Sequence, residues 1–102
     1  MSLKKQNLKS KPICKVTFKL PGEMIPEAKV AHIVGEFNSW DIYANPMKKL
    51  KDGSFTATLD LEQGREFQFR YLIDETDWKN DEAADRYERT PFGNDENSVV
   101  IT

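Results

Sequence analysis

The residues with the most definite chemistry lie in two short segments. Val34-Gly35-Glu36-Phe37-Asn38-Ser39-Trp40-Asp41 runs from β-branched residues into a polar turn that ends on tryptophan. Tyr71-Leu72-Ile73-Asp74-Glu75-Thr76-Asp77-Trp78 does the same through an acidic turn. Both tryptophans of the chain therefore stand just past predicted strand ends, among Asn38, Ser39, Asp41, Asp77, Lys79 and Asn80. A core tryptophan is expected inside an apolar alternation, whereas partly exposed indoles on loops mark a binding face. An indole offers a flat apolar platform to the C–H face of a pyranose, while nearby amides, carboxylates and cations bond the hydroxyls on its rim. Two platforms suit a chain of repeated rings. An aromatic pair also serves single-stranded nucleic acid, but that needs a positively charged groove, and acids surround this pair.

The elements that position these turns read as strands. Ile13 to Leu20 alternates Cys14, Val16, Phe18 and Leu20 against Lys15, Thr17 and Lys19. Ser54 to Leu61 places Phe55, Ala57, Leu59 and Leu61 on one face. Glu66 to Ile73 does so with Phe67, Phe69, Tyr71 and Ile73, leaving Gln68, Arg70 and Leu72 on the other. Period-two alternation of this kind predicts strands with one buried face. Lys29 to Gly35 is apolar on both sides, as a central strand would be, and Ser98 to Thr102 is a β-branched terminal strand. Gly53 and Gly64 supply the positive φ that the intervening tight turns need. No segment sustains a 3.6 period, so the fold class is all-β, an antiparallel β-sandwich closest to the immunoglobulin-like architecture.

At 102 residues the chain has the size of one domain. It is divided here into a flexible basic N-terminal arm over 1–12 and a single β-sandwich domain over 13–102. A lone cysteine, Cys14, excludes an internal disulfide and a cysteine-cluster zinc site, and fits a reducing cytosol, so a cytoplasmic location is expected. His32 is the one histidine, which disfavours a histidine-centred triad; it reads as a packed, satisfied core residue, as Cys14 reads as a small one. No apolar run approaches the ~20 residues that span a bilayer. Charge is segregated: residues 1–20 hold six lysines and no acid, while residues 74–96 hold nine acids against Lys79, Arg86 and Arg89. The aromatics sit with the acids, the reverse of a nucleic-acid footprint. Asp74 to Asp81 lacks the glycine and bidentate glutamate of an EF-hand loop. Nothing places two carboxyls in a cleft at the ~5–5.5 Å of a retaining glycosidase. No catalytic residue, metal or cofactor is expected.

Gly35-Glu36-Phe37-Asn38-Ser39-Trp40-Asp41, Pro46-Met47 and Gly53-Ser54-Phe55 resemble the opening half of carbohydrate-binding module family 48. Glu66 to Asp74, Trp78, Asn80-Asp81 and Phe92-Gly93 through Asn97-Ser98-Val99-Val100 resemble its second half, in the same order. The family includes N-terminal domains of glycogen branching and debranching enzymes and the glycogen-binding domain of the AMP-activated protein kinase beta subunit. The resemblance implies an early-set immunoglobulin-like sandwich that binds α-1,4-glucan, as glycogen or maltooligosaccharide, without chemistry of its own. It implies stacking on Trp40 and Trp78. Arg70 stands where the kinase-type domain has a sugar-bonding lysine, Phe92 matches an apolar residue of the late loop, Asn94 a hydroxyl residue there, and Asn97 lies near a bonding asparagine. From the residues themselves, Arg70 is either a ligand hydrogen-bonder or half of a cross-strand ion pair. Asn97 is a ligand contact or a turn cap, and Asn38 closes an Asx turn on its own backbone. The alternative to a glucan module is a sandwich that has lost its sugar site and docks a glycogen-metabolism enzyme or kinase.

Overall fold

The computed structural model describes residues 3–8, 12–25, 28–90 and 96–102. Each alternating run becomes a strand that turns its apolar set inward. The described residues form β1 (Leu3–Asn7), β2 (Ile13–Leu20), β3 (Ala31–Gly35), β4 (Lys48–Lys49), β5 (Phe55–Glu62), β6 (Glu66–Ile73), β7 (Asp77–Lys79), β8 (Arg86–Arg89) and β9 (Glu96–Ile101). One sheet has the order β1-β2-β5-β4 and the other β3-β6-β9-β8, with β7 also pairing β6. Every pairing is antiparallel. Two such sheets packed face to face make the expected immunoglobulin-like sandwich.

The core lies between the sheets. Val16, Phe18 and Leu20 of β2 and Phe55 and Leu61 of β5 meet Ile33, Phe69, Tyr71, Ile73 and Val100 of the opposite sheet. Phe18 and Phe69 touch edge to face with ring centroids 5.0 Å apart, and Phe69 meets Tyr71 the same way at 5.7 Å. Such pairs add to the area they bury. Cys14 is buried with them, as its alternation implies. Gly53 and Gly64 hold φ values of 88° and 74° in the turns around β5.

Two expectations need correction. The arm over 1–12 is not all solvated tail, because Leu3–Asn7 forms an edge strand in register with β2. Leu3 is buried opposite Phe18, and Lys5 reaches across to pair with Asp85 at 2.5 Å. Burial of one leucine plus five residues of ladder holds the segment against its lysine content. β3 is apolar on both faces as read, yet it is not a central strand. Its free edge is covered by 45–47 instead: Ile33 N–H donates to Asn45 O at 3.0 Å and Met47 N–H to Ala31 O at 2.8 Å. Among the described residues no helix is long and apolar enough to cross a membrane.

Gly35 ends β3 where the backbones crowd. A Cβ there would stand 2.5 Å from the Gln68 carbonyl oxygen and 2.7 Å from Phe69 Cβ. Neither neighbour is the free end of a flexible side chain, so the strand itself must move. Gly35→Ala is expected to cost about 2–3 kcal/mol, which for a domain of this size lowers Tm by about 10 °C or more in a thermal melt.

Candidate functional site

Register decides which side chains share a face. Directly paired residues of antiparallel strands project to the same side. His32 pairs with Leu72 and Leu72 with Trp78, giving one row across β3, β6 and β7. Val34 pairs with Arg70, Gln68 with Val99, and Asn97 with Glu88. Since Phe69, Tyr71, Ile73 and Val100 point into the core, these neighbours project from the outward face of the β3-β6-β9-β8 sheet.

That face is not a solvated polar one. Val34 and Val99 are 0 % exposed and Leu72 is 2 % exposed, yet all three lie outside the core cluster. They form a second apolar strip on the outside of the sheet. Arg70 lies half-buried within it, and its Nε finds no hydrogen-bond partner among the described residues. The four ion pairs found there do not include Arg70, so the cross-strand pairing it was offered is absent among the described residues. Asn97 is in a strand rather than capping a turn, and its amide donates to Gln68 Oε1 at 2.9 Å.

Trp40 is carried by the turn after β3. Glu36–Asn38 makes one 3-10 turn, after which Ser39 and Trp40 both adopt left-handed φ, 57° and 58°. Trp40 N–H returns to Gly35 O at 2.9 Å, which keeps the residue at the end of β3. Asn38 does more than the Asx turn read for it. Its Oδ1 accepts from Gly35 N–H at 3.0 Å, and its amide donates to Ile33 O at 3.1 Å and Asn45 Oδ1 at 2.7 Å. Both ends of the Trp40 loop are thereby clamped to β3. The indole is 38 % exposed.

Trp78 is 46 % exposed. It lies within β7, a three-residue strand laid against β6, and not in the turn where the sequence placed it. The turn before it again holds consecutive left-handed residues without glycine, Asp74 at 50° and Glu75 at 63°. Such conformations cost energy in non-glycine residues and gather at functional sites. Asp74 offsets the strain: its Oδ1 accepts Lys29 N–H at 2.8 Å and Val30 N–H at 3.0 Å. Those amides, Val30 foremost, hold its carboxyl below the ordinary 3.8.

Behind β7 a buried polar knot fixes where the strand leaves. Tyr71 donates its hydroxyl to Asp81 Oδ2 at 2.5 Å, Ala83 N–H donates to Asp81 Oδ1 at 2.8 Å, and Asp81 N–H donates to Ser98 Oγ at 2.7 Å. Burial, then the Asp81 charge, pushes the Tyr71 hydroxyl well above its ordinary 10.0. This role of Asp81 is not among those expected from the sequence. The available signal was Tyr71 on an inward face, where a buried hydroxyl needs a partner.

The structure thus brings Arg70, Trp78 and Asn97 to one sheet face and sets Trp40 at the end of β3 beside it. Phe92 and Asn94 lie outside the described residues. His32 is packed as expected, 9 % exposed, but its Nδ1 makes no hydrogen bond among the described residues. Tyr43, which the sequence reading passed over, stands on His32 with ring centroids 6.1 Å apart.

Residues 22–91 match the family described as Carbohydrate-binding module 48 (Isoamylase N-terminal domain). The chain is also similar to a 1,4-alpha-glucan branching enzyme, GlgB, of Photobacterium profundum, at 40 % identity over 45 residues, or 43 % of this chain. It spans 6 % of that enzyme's length.

The Asp74 contacts carry a pH prediction. A carboxyl held below its ordinary value stabilises the fold above the unfolded pKa, and this is lost as pH falls through the folded one. Asp74→Asn keeps a residue that tolerates the left-handed turn but removes the charge. Its Tm deficit relative to the parent is expected to be greatest near neutrality and to shrink below pH 3.8, as followed by melts across pH.

Proposed function

The chain belongs to the carbohydrate-binding module 48 family, and from that premise we propose that it adsorbs an α-1,4-linked glucan, glycogen or a maltooligosaccharide, without catalysing a reaction. The observation that carries the reading is the outward face of the β3-β6-β9-β8 sheet. There half-exposed Trp78 and Arg70, unpaired among the described residues, share a buried apolar floor of Leu72 and Val34. Trp40 at the end of β3 provides the other platform. The indoles stack on sugar faces, and Arg70, whose planar guanidinium presents several donors, bonds rim hydroxyls. Stacking on a shallow face buries little area and must order the ligand, which places affinity in the micromolar to millimolar range.

A second reading has one observation of its own. The outward face of the other sheet carries Lys4, Lys15, Lys19 and Lys48 around Thr17, Thr56 and Thr58, with Asp60 opposite Lys15 and Glu62 opposite Ile13. Its excess of lysines over acids suits an acidic protein surface, and a glycogen-metabolism enzyme or kinase docked there would need no sugar site.

Titration with maltoheptaose, followed by indole fluorescence, separates the two. The glucan reading predicts a saturable change, a loss of about tenfold in affinity for Trp40→Ala or Trp78→Ala, and no binding in the double variant. A flat signal up to ~10 mM overturns it and leaves the docking module.

A further inference from the structure

The row His32–Leu72–Trp78 has an exposed ring at each end. Trp78 closes it on β7, and Tyr43 stands over His32 on β3. Tyr43 is 65 % exposed, more than either indole, while His32 beneath it is 9 % exposed. The phenol and imidazole planes meet at 88°, so the tyrosine ring rests on its support edge to face and keeps most of its surface for solvent. Two inter-strand steps separate β3 from β7, about 10 Å, with the Leu72 side chain as floor between them.

The backbone that carries this ring is held in place. Tyr43 N–H donates to Asp41 Oδ1 at 2.9 Å, and Ala44 N–H to Asp41 O at 3.3 Å. Asn45 is fastened on both sides, through its Oδ1 to Asn38 at 2.7 Å and through its carbonyl to Ile33 N–H at 3.0 Å. Tyr43 therefore sits on a braced loop, adds nothing to the inter-sheet core, and exposes its ring beside His32, whose side chain projects to the sheet face that carries Arg70 and Trp78. An aromatic ring exposed on a braced backbone in this way is in place for a ligand.

We infer that Tyr43 is a third stacking platform, which rests on the glucan reading above and makes the site select for longer oligosaccharides. Short chains lie on the indoles with Arg70 at their rim. Longer ones extend along the His32–Leu72–Trp78 row until a further sugar reaches the tyrosine ring. His32 is a positioning residue that sets the height of that ring.

The test measures binding of maltotriose and maltoheptaose to the parent chain, Tyr43→Ala and Tyr43→Phe by calorimetry, with melts to confirm that each variant folds. Tyr43→Ala is expected to weaken maltoheptaose about fivefold and maltotriose by less than about twofold. Tyr43→Phe, which keeps the ring, should match the parent for both sugars. Equal affinity of Tyr43→Ala and parent for maltoheptaose overturns the third platform and leaves the glucan reading standing, as does an equal loss for both lengths. Absence of binding to the parent overturns both.

Discussion

Strand β6 has to satisfy two faces at once, and the rest of the molecule is arranged around that demand. Inward it supplies Phe67, Phe69, Tyr71 and Ile73 to the core, and outward it presents Gln68, Arg70 and Leu72. An ordinary sandwich strand would leave the second set to water. Here Leu72 is buried and Arg70 half-buried, because β3 and β7 flank β6 with His32, Val34 and Trp78 in matching register. A slip of one residue in either pairing would turn those side chains into the core and the core set out to solvent. Register of three strands is therefore what builds the outer face, and inter-sheet packing of Phe18, Phe69 and Tyr71 is what protects the register.

The turn that holds Trp40 and the turn that leads into the Trp78 strand solve one problem in the same way. Each reverses direction through two successive left-handed residues that are not glycine, Ser39-Trp40 and Asp74-Glu75. Each is restrained by a polar side chain that gathers backbone groups from a neighbouring segment, Asn38 in one and Asp74 in the other. Glycine would relieve the strain, but would also loosen the chain where direction matters most. The clamps and the knot around Asp81 give those turns definite geometry at an energetic cost that the core absorbs.

The architecture was legible because its signal is periodic: β2, β5 and β6 were bounded to within a residue by alternation alone. Short strands were not. β4, β7 and β8 are two to four residues long, too brief to show a period, and they exist because a longer neighbour offers an edge. β1 was hidden for another reason, since its lysines read as a solvated arm and one buried leucine is a weak signal. Trp40 and Trp78 stand out in the sequence as indoles among polar residues, whereas Arg70 reads as an ordinary polar-face residue and entered through the family resemblance. Tyr43 was not legible, because its meaning lies in standing over His32, a relation between loop and strand that no local spacing encodes. The same holds for Asn38 and Asp81, whose partners are set by the fold.

The most direct test of this account is a two-dimensional 1H–15N spectrum of the chain titrated with maltoheptaose. The account predicts that the indole N–H signals of Trp40 and Trp78 and the Nε–H of Arg70 shift together, with backbone changes confined to β3, β6, β7 and the loop between β3 and β4. Shifts gathered instead on the lysine-bearing face of β1, β2 and β5, or none at saturating sugar, would contradict it.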